Sequence, residues 1–216
     1  MLNWNTVNDT LKDALLLLMK SSIFDQFRLV GGTSLSLQLG HRMSIDIDLF
    51  TDAPYRSIDF NQIDEFLKDN FPYVDGSFGM LVANGRSYAV GKNNLENVKL
   101  DINYTDPFIQ EPLFIEGVRL ATVQEIMAMK MEIVQSAGRK KDFWDIHEVL
   151  DYYQVEQMIK LHEERYPYGH DKDLILKNLS NFTKADKDID PECLRGKHWE
   201  LIKLDMLELT KRGHTT

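Results

Sequence analysis

Apolar residues at helical and strand spacing divide the chain into two textures. Asn8 or Thr10 can cap a first helix running to about Ser21, with Leu11, Leu15 and Leu18 on one face and Ala14 and Leu17 widening it. Phe27 to Val30 reads as a short strand ended by Gly31-Gly32, and Thr33 to Gly40 as a helix with Leu35 and Leu39 in phase and Gly40 as its stop. Ser44 to Phe50 alternates, with Ile45, Ile47 and Leu49 facing one way and Asp46 and Asp48 the other. A helix over Ile58 to Asn70, closed by Phe71-Pro72, precedes three strands near Ser77 to Ala83, Arg86 to Gly91 and Glu96 to Tyr104, with Asn84-Gly85 as a hairpin signal. Leu113 to Ile115 and Val118 to Leu120 flank a turn at Glu116-Gly117. Beyond Ala121 the spacing predicts helices over Thr122–Ala137, Asp142–Tyr152, Val155–Arg165, Leu174–Asn181 and His198–Arg212, with a loop from Asp186 to Gly196. The expected organisation is an α+β domain over 1–120 and a helical domain over 121–216, without internal repeats.

Composition narrows the class. A chain of 216 residues with 43% hydrophobic and 27% charged residues is long enough for a sizeable core and is neither low-complexity nor disordered. Its single cysteine, Cys193, excludes an internal disulfide and a cysteine zinc site, so a reducing, cytoplasmic setting is expected. The apolar run Ala14 to Met19 falls far short of the ~20 residues that span a bilayer and lacks the flanks of a signal peptide, so no membrane association is expected. The net charge of −9, with neither half basic, argues against holding a long duplex by phosphate neutralisation; a local basic patch stays open.

Candidate chemistry begins with Asp46 and Asp48. One residue apart on a strand, their side chains leave the same face, and two like charges held that close are costly unless a cation sits between them. Asp101, in the alternating stretch Val98 to Tyr104, supplies a third carboxylate. Three such groups on neighbouring strands could hold hard divalent ions through oxygen, the requirement of two-metal phosphoryl transfer, although alternation alone also predicts polar residues on a solvent face. A calcium loop at Asp46, Asp48 and Asp52 fails, because the sixth position is Thr51 and the twelfth Ser57. Gly31-Gly32-Thr33, between strand and helix, lets the backbone turn sharply while the helix start offers free N–H groups to phosphate. It is neither a Walker loop nor a dinucleotide fingerprint. Lys130 lies on the apolar face Val123, Ile126, Ile133, Ala137, where a lysine must snorkel or reach an anion. Asp142 can cap a helix with Asp145 in its first turn, and the two also share a face. Arg139, Lys140 and Lys141 are the one dense basic cluster.

Leu29-Val30-Gly31-Gly32-Thr33, followed by Gly40-His41-Arg42-Met43-Ser44-Ile45-Asp46-Ile47-Asp48-Leu49-Phe50, resembles the signature of the polymerase-beta-type nucleotidyltransferases, and more narrowly that of the AbiEii/AbiGii abortive-infection toxin family. Thirteen residues separate Gly32 from Asp46, about the family's distance. The later family motifs, a helical lysine and then an arginine and a Lys-Asp-x-x-Asp segment, match Lys130, Arg139 and Lys141-Asp142-Phe143-Trp144-Asp145, and a third carboxylate fits Asp101. The similarity runs from about Leu29 to Leu150.

The resemblance implies a mixed sheet flanked by helices, a polymerase-beta-like core, and a helical region behind it. It implies Mg²⁺ or Mn²⁺ on Asp46, Asp48 and Asp101, with an NTP whose triphosphate meets Gly31, Gly32, Thr33 and Lys130. Arg42, Ser44, Asp142 and Asp145 would line the nucleotide site, and Arg139, Lys140 and Lys141 are candidate RNA contacts. The implied reaction is NMP transfer to an acceptor, foremost the tRNA 3′ end, by the toxin of a type IV toxin–antitoxin pair. The alternatives are a protein or small-molecule acceptor such as an antibiotic, a kinase-like transfer of the γ-phosphate, and an inactive nucleotide-binding module.

Overall fold

The computed structural model describes residues 1–76, 78–79 and 84–212. They form two compact units: residues 1–39 with 44–122, and 40–43 with 123–212.

The first unit is built on a seven-stranded mixed sheet. Asn8 caps α1 (Asp9–Lys20) by accepting from Leu11 N at 2.8 Å, one of the donors a helix start leaves unpaired. After α1 come β1 (Arg28–Leu29), α2 (Gly31–Leu39), β2 (Asp46–Thr51), α3 (Phe60–Asn70), β3 (Tyr73–Gly76), β4 (Gly85–Gly91), β5 (Asn97–Tyr104), β6 (Leu113–Ile115) and β7 (Val118–Leu120). The sheet order is β3-β4-β5-β2-β1-β7-β6, with β2 parallel to β5 and β1 parallel to β7; the other pairs are antiparallel. Ile47 and Leu49 of β2 and Val98, Leu100 and Ile102 of β5 are buried in one cluster with Leu11, Leu15 and Leu18 of α1 and Ile63 and Leu67 of α3. The strands therefore keep one apolar face and turn their polar positions to the other.

The hairpin differs from its expected form. The expected strand Ser77–Ala83 falls mostly on residues 77 and 80–83, outside the described residues. The partner of β4 is the earlier β3, in register Tyr73↔Gly91 to Gly76↔Tyr88. Asn84-Gly85 leads into β4, where Gly85 lies opposite Asn103 of β5.

The second unit contains α4 (Val123–Gln135), α5 (Lys140–Val149), α6 (Val155–Arg165), α7 (Lys172–Leu179) and α8 (Trp199–Arg212). Phe143, Phe182 and Trp199 pack edge to face, and Trp144 stacks on Trp199 at 10°. The segment Gly40–Met43 belongs to this unit: Met43 N donates to Glu192 O and Leu194 N to His41 O, both at 2.9 Å, around an isolated bridge between Arg42 and Cys193. The loop expected over Asp186–Gly196 thus gains a short strand-like seam. No described helix is long and apolar enough to cross a membrane.

Candidate active site

The first unit gathers the glycine turn and the three carboxylates. Gly31 opens α2 directly after β1 with φ +66°, a left-handed conformation that favours glycine. A Cβ there would stand 2.9 Å from Asp48 Oδ2, so the backbone approaches that carboxylate as only glycine allows. Val30 N donates to Asp48 O at 2.9 Å and fixes the turn against β2. Thr33, almost fully buried, donates its hydroxyl to the Asp46 carbonyl oxygen and shares a 2.7 Å hydrogen bond with Ser44 Oγ. The Thr33 and Ser44 hydroxyls thus tie the start of α2 to the approach of β2.

Parallel pairing sets Asp46 opposite Lys99 and Asp48 opposite Asp101, so all four side chains leave one sheet face. Like charges directly opposite one another destabilise a strand pair. The chain answers with Lys99, whose Nζ lies 2.5 Å from Asp101 Oδ2. Ser87 of β4, opposite Asp101 in the antiparallel register, donates to Oδ1 at 2.5 Å, so both Asp101 oxygens are engaged. The Asp101 hydrogen bond holds the Lys99 ammonium above its ordinary pKa against the opposing effect of burial, and the charges of Asp101, Asp46 and Asp48 add to it. Lys99 and Ser87 escaped the sequence reading, although alternation along Val98-Lys99-Leu100-Asp101 puts the lysine on the carboxylate face.

Among the described residues, no three His, Cys, Asp or Glu side chains converge closely enough to hold a metal as they stand. The donor set nevertheless suits a hard divalent cation. It is all carboxylate oxygen, its charges draw a cation already in the Lys99 ammonium, and the Gly31 backbone closes in where a side chain would block Asp48.

The second unit gathers the other expected residues into a buried ion cluster. Lys130 does not snorkel: its side chain is 3% exposed, with Nζ 2.6 Å from Asp142 Oδ1 and 2.7 Å from Asp145 Oδ2. Arg42 grips Asp145 through two hydrogen bonds, Nε at 2.6 Å and Nη2 at 2.9 Å, and His41 Nε2 lies 2.8 Å from the same carboxylate. Both carboxylates are fully buried, and burial alone would raise their pKa. Burial is the largest single effect on each, but Lys130 together with Arg139 at Asp142, and with Arg42 and His41 at Asp145, outweighs it; Asp142 is held below its ordinary value and Asp145 well below. Burial lowers the Lys130 ammonium, but Asp145 and Asp142 leave it net raised.

In this arrangement Lys130 reaches the internal carboxylates Asp142 and Asp145, and Arg42 joins the same cluster through Asp145. One expectation is corrected. Asp142 is not a cap: α5 begins at Lys140, and Asp142, inside its first turn, accepts from Arg139 N at 3.1 Å and Nε at 2.9 Å. Lys140 is buried, with Nζ 2.8 Å from the exposed Asp190. Arg139 is about half exposed and Lys141 partly exposed.

Comparison with known proteins finds relatives along most of the chain. A protein of Aquifex aeolicus (strain VF5), aq_aa25, is 26% identical over 203 residues, covering 89% of this chain and 90% of its own. Two solved structures share the fold: JHP933 from Helicobacter pylori, at 20% identity and TM-score 0.54 over 94% of this chain and 88% of that one, and MenT4, the nucleotidyltransferase toxin Rv2826c from Mycobacterium tuberculosis H37Rv, at 15% identity and TM-score 0.55 over 93% and 82%. The sequence profile of the family described as "Nucleotidyl transferase AbiEii toxin, Type IV TA system" matches residues 13–212, and the chain belongs to that family of nucleotidyltransferase toxins.

Proposed function

We propose that this chain transfers an NMP unit from an NTP to the 3′ end of tRNA, with Mg²⁺ on Asp46, Asp48 and Asp101, acting in the cytoplasm as the toxin of a toxin–antitoxin pair. The observation that carries this reading is the meeting of a left-handed glycine turn with one member of a three-carboxylate sheet face, Gly31 against Asp48. A divalent cation, when bound, supplies Lewis-acid stabilisation of the phosphoryl oxygens. Asp46 and Asp48 would hold it, and Asp101 would complete the donor set and take the proton of the acceptor hydroxyl. The unpaired amides at the start of α2, in Gly31, Gly32 and Thr33, would receive the triphosphate at the positive end of the helix. The hydroxyl oxygen bonds to the α-phosphorus, the bond to the bridging oxygen breaks in line, and pyrophosphate leaves. Catalysis on this reading is positioning and electrostatics. Within the second unit, Lys130 neutralises Asp142 and Asp145, and Asp145 in turn anchors Arg42.

A protein or small-molecule acceptor is the second reading, favoured by the net charge of −9 and by the burial of Lys140. Incubation with tRNA, Mg²⁺ and each α-³²P-labelled NTP tests both. Label in tRNA from wild type but not from Asp46→Asn/Asp48→Asn, with none from γ-labelled NTP, is the expected result. Metal-dependent NTP binding without label in tRNA would reject the tRNA acceptor in favour of the second reading.

A further inference from the structure

We propose that Lys99 is the resident counter-ion of the carboxylate face and exchanges with the incoming divalent cation, so that it sets metal affinity without touching substrate. The inference rests on the metal reading above and concerns a residue that reading does not use. Asp48 and Asp101 lie directly opposite each other on adjacent parallel strands, with Asp46 one pleat away on the same face. Such a face is stable without metal only if a positive charge is supplied from nearby. Lys99 supplies it from the β5 position opposite Asp46, with its ammonium 2.5 Å from Asp101 Oδ2.

The geometry makes the two cations competitors. Ser87 donates to Asp101 Oδ1 and the Lys99 ammonium to Oδ2, so a divalent ion approaching Asp101 meets a positive charge, already seated at Oδ2, that repels it. Ser87 is a hydroxyl fixed to a paired strand, whereas Lys99 ends a flexible four-carbon stem that is 56% exposed. An exposed lysine–carboxylate pair is worth little, so releasing the ammonium into water is cheap. The lysine is therefore the group that leaves. It offsets the carboxylate repulsion in the metal-free protein and costs the metal part of its binding energy. Lys99 is a positioning residue: it holds Asp101 out of convergence with Asp46 and Asp48 until an ion arrives.

Mn²⁺ binding to the full chain without nucleotide, followed by electron paramagnetic resonance, tests the exchange. Lys99→Met should bind Mn²⁺ about two- to fivefold more tightly than wild type, the scale of one surface ion pair. Lys99→Arg keeps the charge and should bind no more tightly than wild type. Circular dichroism would verify that both variants fold, as expected for an exposed side chain. Mn²⁺ affinity in Lys99→Met equal to or below that of wild type would overturn the inference while leaving the metal reading intact. Failure of wild type to bind Mn²⁺, or binding that survives Asp46→Asn/Asp48→Asn, would overturn the metal reading and the exchange with it.

Discussion

Gly31 carries two constraints at once: a backbone in the left-handed region and a carboxylate oxygen where a β-carbon would stand. Gly31→Ala should cost about 1–2 kcal/mol of stability from the backbone alone. The new methyl must also push Asp48 aside, so Mn²⁺ affinity should fall at least tenfold and NMP transfer should be lost while the circular dichroism spectrum is kept. Unchanged Mn²⁺ affinity would show that the glycine does not set the position of Asp48. The turn at this residue was legible in the sequence, because a glycine pair between strand and helix marks a sharp turn and a close backbone approach. Lys99 was not, because alternation gives the face of a side chain but not the neighbour on which a long stem settles. Lys130 was half legible: its apolar helix face announced a buried cation, but the anions come from another helix and follow from packing.

The helices of the second unit are joined through that cation. Lys130 on α4 meets Asp142 and Asp145 on α5, and Asp145 in turn holds His41 and Arg42. Removing one partner of a buried ion pair leaves an uncompensated charge, a cost of about 3–5 kcal/mol. Lys130→Met should lower unfolding free energy by that amount in urea titrations, whereas Lys130→Met/Asp142→Asn/Asp145→Asn should recover part of it. A loss under about 1 kcal/mol would mean that water reaches the cluster. The strands and helices themselves were largely readable from spacing. The sequence reading misplaced the start of α5 because a capping carboxylate and one reaching back from within the first turn occupy neighbouring positions. It misassigned the partner of β4 because the Asn-Gly signal marks a turn without naming which upstream segment returns to pair.

At the scale of the whole molecule, two sets of buried groups give stability its pH dependence. Asp142 and Asp145 are held below their ordinary values, so their contribution is fully present above the unfolded value near ~4 and is lost as pH falls through the folded values. His162 is buried between Glu132 and His170; burial lowers its pKa despite Glu132, so its neutral ring begins to cost stability once pH falls below about 6.5. The urea midpoint should therefore be flat near pH 7, decline gently below about 6.5 and drop steeply below about 4. His162→Gln should remove the first decline and keep the second; a gentle decline that persists in this variant would assign it to another group. Gly40–Met43 completes the second unit from far upstream in the chain. A ribosome releases that segment long before Asp145 exists, so its arginine and histidine wait in water while most of the protein is still being made. A gene fragment encoding only residues 123–216 would yield a polypeptide missing one strap of its own interior, and two separately expressed halves would regain it only by one lending those four residues to the other.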